Sequence, residues 1–310
     1  MRKVEKGERL DVRDGVALFS EDLLTLGRLA ELRKNAWHDS KVATFVVDRN
    51  ISYTNVCTVR CRFCAFYRSP RSPEGYVLSW DEISEKIQAL VDGGGTQVLL
   101  QGGVNPALSI SFYTDLFRRI KSAFPVHIHS LSAPEIDGIA RLEKTTVEVV
   151  LQALVEAGLD SLPGGGAEIL VDRVRNIISP GKIGSDRWLE IHEKAHRLGI
   201  STTATMMYGS AHIPPATGMD YLKTLAISRI MLDNIPNIQG GWLTEGEKLG
   251  QVSLFFGAND MGGVISEDKV LEPTRIVCTL TPSLMADLIR RAGKTPVQRN
   301  TRYERIKTFS

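Results

Sequence analysis

Three cysteines fall within one short stretch, Cys57-Thr-Val-Arg-Cys61-Arg-Phe-Cys64, inside NISYTNVCTVRCRFCAFYR. Thiolates at this spacing can bind three irons of a four-iron cluster and leave the fourth iron open to an exogenous ligand, which points to chemistry rather than storage of electrons. Two plainer readings compete. A structural zinc site asks for four ligands, commonly as two close pairs, whereas the remaining cysteine, Cys278, is far along the chain and no histidine lies near. A disulfide framework is what small secreted domains need, not a chain of 310 residues with four cysteines. Cys278 reads most simply as a small buried hydrophobe.

The elements that must position these cysteines repeat. ATFVVDRNISYTNVC is β-rich and leads directly into the motif, so the cysteine loop follows a strand. Before it, residues 20–36 spell a helix opening near Ser20. After it come a helix from about Ser79 (SWDEISEKIQALVDGG), a strand (TQVLLQGG), a helix (ISFYTDLFRRIKSAF) and a strand (VHIHSLS). Another helix (TVEVVLQALVEAG), a strand (LDSLPGGG), a helix (DRWLEIHEKAHRLG) and a strand (ISTTATMMYG) continue the series. Repeated strand, helix, strand units predict an α/β fold with parallel pairing and helices outside, closing as a TIM-type or partial TIM barrel. Chemistry in such folds sits at the C-terminal ends of the strands. Those ends here are the cysteine loop, Gln101-Gly-Gly-Val-Asn105, His129-Ser-Leu-Ser132, Pro163-Gly-Gly-Gly-Ala-Glu168 and Tyr208, polar where the strand bodies are apolar.

After Tyr208 the alternation breaks. SAHIPPATG leads straight to the helix of MDYLKTLAISRIMLDNI, too short a passage for another crossover and strand, so one barrel unit is missing there. NIQGGWL can supply a late strand, QVSLFFGANDMGG ends in a polar turn, and TPSLMADLIRRAG is an amphipathic terminal helix. No linker separates domains, which predicts a single barrel domain over 1–310, with an extension at 1–45, the barrel core at 46–260 and a second extension at 261–310.

Composition excludes other classes. Hydrophobic residues at 43% and charged residues at 24% are those of an ordinary globular protein. A net charge of +2 gives no nucleic-acid tract and no polybasic membrane face. The opening MRKVEKGERLDVRDG is too charged for a signal-peptide core, and no run approaches the roughly 20 apolar residues of a membrane span. Clustered metal-binding cysteines suit a reducing compartment, so the expected location is the cytoplasm.

The three-cysteine spacing, with an aromatic residue before the last cysteine, resembles the radical S-adenosylmethionine superfamily. LLQGGVNP, IHSLSAPEI, AGLDSLPGGGAEILVDRVR, TTATMMYG, DYLKTLAISRIMLDNIPNIQ, FGANDMGG and TPVQRNTRY together resemble, more narrowly, the cyclic dehypoxanthinyl futalosine synthases of menaquinone biosynthesis. That family continues from TMMYG with a further helix and strand that this sequence lacks. The resemblance implies that Cys57, Cys61 and Cys64 hold a 4Fe-4S cluster whose open iron binds S-adenosylmethionine. A 5'-deoxyadenosyl radical then takes a ribose C4' hydrogen from dehypoxanthine futalosine. The carbon radical attacks the benzoate ring, and loss of an electron and a proton restores aromaticity. It also implies an external electron donor such as flavodoxin or ferredoxin. Gln101, Gly102 and Gly103 would meet the methionine amino group, or form only a tight turn. In the Pro163–Glu168 element, Gly165 and Glu168 would contact the cofactor, Glu168 through ribose hydroxyls or the ammonium. Arg173 would face a carboxylate, or lie solvated on a helix. Tyr67 could stack on the adenine or pack. His129 and Ser132 could bond substrate or assist proton loss, with His127 on the same strand face, although an interior histidine bonded to backbone is the plainer alternative. The hydroxyl of Tyr208 would meet substrate or water. Asn259 and Asp260 would close the pocket rim or form an ordinary turn. Remaining alternatives are an aminofutalosine synthase or deazaflavin-forming relative, and a non-catalytic iron-sulfur or zinc protein.

Overall fold

Local capping signals place most of the elements. In the computed structural model, which describes residues 1–207, 216–265 and 280–309, helices α1 (Arg2–Glu5), α2 (Val12–Leu18) and α3 (Leu23–Asn35) precede strand β1 (Val42–Ile51). Helix α3 starts later than Ser20, because the extended backbone of Asp22 puts its carboxylate 2.9 Å from the Thr25 amide. After the cysteine loop comes α4 (Trp80–Asp92), opened by Ser79 as the sequence predicts, with Ser79 and Glu82 bonding each other's amides in a capping box.

The chain divides into two compact units, and β1 is shared: Val42–Val47 belong to one and Asp48–Ile51 to the other. The unit holding the cysteines comprises Asp48–Met207 with Ile265–Thr279. From the end of β1 and α4 it continues through β2 (Gln97–Leu100), α5 (Ile110–Ala123), β3 (His127–Ser130), α6 (Ala133–Leu142), α7 (Val147–Glu156), β4 (Ser161–Leu162), α8 (Asp172–Ile178), α9 (Ser185–Arg197) and β5 (Ser201–Thr202). All the pairings here are parallel: Asp48 lies opposite Gln97, Gln97 opposite His127, His129 opposite Ser161, and Ser161 opposite Ser201. Alternation does the sorting of side chains. Val98, Leu100, Ile128 and Leu162 point one way and are buried, together with Ile83 and Ile87 of α4, Phe117 and Ile120 of α5, and Leu151 and Leu154 of α7. Asp48, Asn50, Gln97, His127, His129 and Ser161 occupy the opposite face and make it polar.

Five parallel strands with helices between them are a partial TIM barrel. Among the described residues β5 stays an edge, with no strand-helix pair between Thr202 and α10 (Gly218–Met231). The missing barrel unit expected after Tyr208 is therefore absent from the described chain as well.

The other unit comprises Met1–Val47, Tyr208–Val264 and Leu280–Ser310. Leu26, Leu29 and Ala30 of α3 pack on α10, whose buried side chains include Leu222, Ala226 and Ile230. Next come α11 (Trp242–Glu245), α12 (Glu247–Ser253), β6 (Asp260–Ile265), α13 (Pro282–Arg291), β7 (Thr295–Arg299) and β8 (Arg305–Thr308). Strand β7 pairs parallel to Val42–Val46 and antiparallel to β8. NIQGGWL makes only a single bridge, Gln239 to Asp260, before helix α11 begins at Trp242. Asp260 opens strand β6, Asn259 stands just before it, and both are deeply buried. Asp260 takes a bidentate ion pair from Arg299 (2.5 and 2.9 Å) and a 2.5 Å hydrogen bond from Thr44, and Asn259 accepts from Arg229 at 2.7 Å. Paired in this way, both carry structure inside this unit. Cys278 lies outside the described residues.

Candidate active site

The cysteine loop is pinned at its neck. It leaves the sheet at Asn55–Cys57 and returns at Arg68, where the Cys57 amide donates to the Arg68 carbonyl (2.9 Å) and the Arg68 amide to the Asn55 carbonyl (2.7 Å). The Arg68 guanidinium turns inward to the carbonyls of Ala65 and Tyr67. At the far side the Arg62 amide donates to the Ile178 carbonyl at the end of α8 (2.8 Å), and a Cβ on Gly181 would stand 2.7 Å from the Val59 carbonyl oxygen. Cys61 is buried, and Cys57 and Cys64 are half-buried. Amides of Val59 and Val104 point at the Cys57 sulfur (3.5 and 3.3 Å). Burial pushes the Cys57 thiol up, and these two amides pull it back toward thiolate. Tyr67 is half-buried in the returning arm.

Gly102 and Gly103 serve close packing of backbone. A Cβ on Gly103 would sit 2.2 Å from the Val56 carbonyl oxygen and 2.6 Å from the Cys57 Cβ, and one on Gly102 would enter the Tyr53 ring at 2.7 Å. Only glycine lets the end of β2 lie directly against the cysteine loop. The Gly102 amide donates to Glu135 (3.1 Å), a residue to which sequence alone assigns no part in the site. Glu135 is almost fully buried at the start of α6 and also accepts from the Tyr53 hydroxyl (2.5 Å) and from the amide and hydroxyl of Ser132 (2.7 and 2.6 Å). Burial pushes its carboxyl up against those four donors. The Ser-x-x-Glu spacing of Ser132 and Glu135 is a capping-box signal, and it is present in IHSLSAPEI. The Ser132 hydroxyl is thus engaged in this cap.

The Pro163–Glu168 loop wraps an arginine. Arg175, 2% exposed, donates to the carbonyls of Gly166 (3.1 Å), Ala167 and Ile183 (2.7 Å). Arg173, the expected carboxylate binder, lies exposed on α8. Helical spacing accounts for the difference, since two positions on a helix point to different faces. Gly165 leaves room for the Gln101 amide, whose nitrogen would stand 2.6 Å from a Cβ there. Glu168 holds a left-handed backbone (φ +46), a strained conformation for a residue with a side chain. Its carboxylate meets the Lys182 ammonium at 2.7 Å. Lys182 also lies over the Phe63 ring at 5.5 Å. Burial by itself would lower the lysine's pKa, but Glu168 and the Cys61 sulfur outweigh it and hold the ammonium above its ordinary value. Lys182 follows a Pro-Gly turn and gives no periodic signal in the sequence.

His129 is buried on β3, with Nδ1 2.6 Å from the Ser161 hydroxyl, and Nε2 of His127 reaches the same hydroxyl at 2.7 Å. Nothing in the sequence singles out Ser161. Tyr208 lies outside the described residues. The structure thus gathers Gly102, Gly103, Glu168 and the three cysteines around one loop, and sets His129 on the polar sheet face of the same unit.

Three thiolates on one loop suit a four-iron cluster, which asks each thiolate to reach its own iron. Amides aimed at the Cys57 sulfur and a lysine beside Cys61 are the donors that cluster thiolates take up.

Residues 51–212 match the family profile described as Radical SAM superfamily, and residues 202–309 the one described as CofH/MqnC C-terminal region. A "Cyclic dehypoxanthine futalosine synthase" of Halalkalibacterium halodurans is 41% identical, covering 100% of this chain and 95% of the relative. That alignment runs over 350 positions against the chain's 310 residues, so it opens gaps in this chain. A protein of the same name from Streptomyces coelicolor is 36% identical (97% of this chain, 86% of the relative). A "5-amino-6-(D-ribitylamino)uracil--L-tyrosine 4-hydroxyphenyl transferase" of Methanopyrus kandleri is 38% identical (99% and 94%). Among solved structures, methylornithine synthase superposes with a TM-score of 0.71 at 15% identity, covering 95% of this chain and 96% of that one, which is a likeness of fold.

Proposed function

The chain belongs to the radical SAM superfamily, and on that premise we propose that it cyclises dehypoxanthine futalosine to cyclic dehypoxanthine futalosine in menaquinone biosynthesis. The observation that carries this reading is the full-length similarity to two synthases of that name, joined to a three-cysteine loop built to seat a cluster. In this reading Cys57, Cys61 and Cys64 hold the 4Fe-4S cluster. With S-adenosylmethionine bound, the cluster supplies the 5'-deoxyadenosyl radical that takes hydrogen from the ribose C4'. The protein's own share is position and shielding. Gly102 and Gly103 hold the end of β2 against the cysteine loop, and Gln101, Gly165 and Glu168 bind the cofactor's polar groups from the neighbouring loops. Lys182, paired with Glu168, keeps a positive charge beside Cys61 and is a second candidate to meet an anionic group there. Arg173, exposed on α8, is the candidate to face a carboxylate. Tyr67 and Tyr208 are assigned to the adenine and the substrate. His129 is the candidate base for the ring proton, and Ser132 orients Glu135 beneath the glycine pair. The electron donor is a small carrier protein of the flavodoxin or ferredoxin kind.

Anaerobic reconstitution tests the proposal. The brown holoenzyme, reduced and given S-adenosylmethionine and dehypoxanthine futalosine, is expected to form 5'-deoxyadenosine and a product two hydrogens lighter than the substrate by mass spectrometry. Cys61→Ala abolishes both. The 38% identity to a 4-hydroxyphenyl transferase favours one competing activity, so the same assay is run with tyrosine and 5-amino-6-(D-ribitylamino)uracil. Product from that pair instead would replace the cyclase reading.

A further inference from the structure

The proposed function uses His129 on the polar face of β3 and β4 but gives His127 and Ser161 beside it no part. Two imidazoles there share one hydroxyl: His129 Nδ1 at 2.6 Å and His127 Nε2 at 2.7 Å from Ser161 Oγ. A hydroxyl has a single proton, so Ser161 can donate to one ring only while it accepts from the other. The tautomers of the two histidines are therefore coupled. Two of the three groups are buried and the third opens toward solvent. Ser161 is 2% exposed and His129 6%, while His127 is half-buried. Strand β3 runs from His127 toward the end where the loops gather, so His127 stands about 6.6 Å further from that end than His129, two residues of strand at about 3.3 Å each.

We propose that His129, Ser161 and His127 form a proton relay that carries the ring proton of the cyclisation out through the sheet, away from the mouth of the site. This rests on the cyclising reading above. In the starting state His129 carries its proton on Nδ1 and gives that hydrogen bond to Ser161, whose own proton points to Nε2 of His127. The ring carbon's C–H bond breaks and its proton goes to His129 Nε2. The His129 Nδ1 proton passes to Ser161 Oγ, and the former Ser161 proton passes to His127 Nε2, leaving His127 as an imidazolium. One proton enters and one is displaced, so His129 and Ser161 stay neutral. The electron released with it goes separately to a one-electron acceptor of the iron-sulfur class. Such a route lets a proton leave a radical site without admitting water past a buried histidine, which is the reason to place it on the sheet. Ser161 is a positioning residue in this scheme.

The test compares Ser161→Ala, Ser161→Thr and His127→Gln as reconstituted holoenzymes with the wild type, reading cyclised product formed per 5'-deoxyadenosine. Glutamine at 127 can still bond the hydroxyl but cannot take the proton. S161A and H127Q are expected to lower the ratio at least tenfold, and S161T, which keeps the hydroxyl, to retain half or more of it. Ratios for S161A and H127Q within twofold of wild type would overturn the relay, as would S161T failing as badly as S161A. If S161A does not fold, H127Q alone decides. Failure of the cyclising reading shows separately, as a wild type that makes 5'-deoxyadenosine and no cyclised product. That outcome overturns the relay together with the reading it rests on, whereas 15N-histidine NMR without substrate tests the shared hydroxyl by itself: S161A is expected to shift the tautomer ratio of both rings, and unchanged ratios would overturn the relay while leaving the cyclising reading intact.

Discussion

At the scale of the residue, the node to break is Glu135. Replacing it by alanine strips the Gly102 amide, the Tyr53 hydroxyl and the Ser132 cap of a buried acceptor at once. Leaving buried donors unpaired costs about 1–3 kcal/mol each, so Glu135→Ala is expected to lose about 3 kcal/mol or more in urea unfolding, and to bind less iron on reconstitution. Two glycines make a matched pair for a second prediction. Gly103→Ala drives a methyl into the Val56 carbonyl at 2.2 Å, whereas Gly94→Ala meets nothing within 4 Å and faces only its left-handed backbone (φ +76). The second change costs about 1–2 kcal/mol. The first costs more and lowers the iron content, which G94A leaves alone. A third prediction concerns acid. Glu190 on α9 accepts from Lys194 and Arg187, which hold its carboxyl down at about 2 from an ordinary 4.5. A depressed carboxylate adds stability that is complete above the ordinary value and is lost as pH falls through about 2. Glu190→Gln should flatten that part of the stability-pH curve, by a small amount because the group is largely solvated.

At the scale of the element, the legible part is the part that local chemistry writes. Ser79 and Glu82 announce α4, and Ser79→Ala is expected to cost about 1 kcal/mol by thermal or chemical unfolding with iron content unchanged. Strand β2 is visible as a short apolar run, and β3 as an alternation of His127, Ile128 and His129 in which only one face is apolar. Helix α6 is not: it opens at Ser132, a residue assigned to chemistry, where a capping signal and a functional one look alike. Helix α8 opens at Val171 with no side-chain cap to announce it. Strand β5 pairs through only two residues, against a longer β-rich run in the sequence, because the chain beyond it turns to bond the glycine-rich loop: Thr203 and Thr205 bond Gly164 on both sides, at 2.9 Å each. Strands β7 and β8 escape a local reading since their partners, Val42–Val46 and each other, are set by tertiary register rather than by local pattern. In the site, the cysteines and the glycine pair are readable from type and spacing. Glu135, Arg175, Lys182 and Ser161 are not, because each matters through a partner that is distant in sequence or hidden by the fold.

At the scale of the whole molecule, the parallel series ends at β5 among the described residues. A crossover and strand need more chain than lies between Thr202 and α10. The passage from Thr202 to Gly218 is expected to be as short in the expressed protein as in this sequence, which peptide mapping of that stretch by mass spectrometry checks; extra residues found there would supply the missing barrel unit. Among the described residues no helix is long and apolar enough to cross a membrane.

The division of β1 has a consequence for the order in which the chain can fold during synthesis. Nearly all the described part of the cysteine-bearing unit, Asp48–Met207, is one continuous run, and its sheet can pair while the ribosome is still making the C-terminal third of the chain. Residues Val42–Val46 must wait for β7, near the end of the chain, to fill that edge. Until then the first half of β1 presents an unpaired, largely apolar edge that other nascent chains can join. Truncation before Thr295 is therefore expected to yield aggregates seeded at that edge, even though the shortened chain keeps the whole cysteine loop.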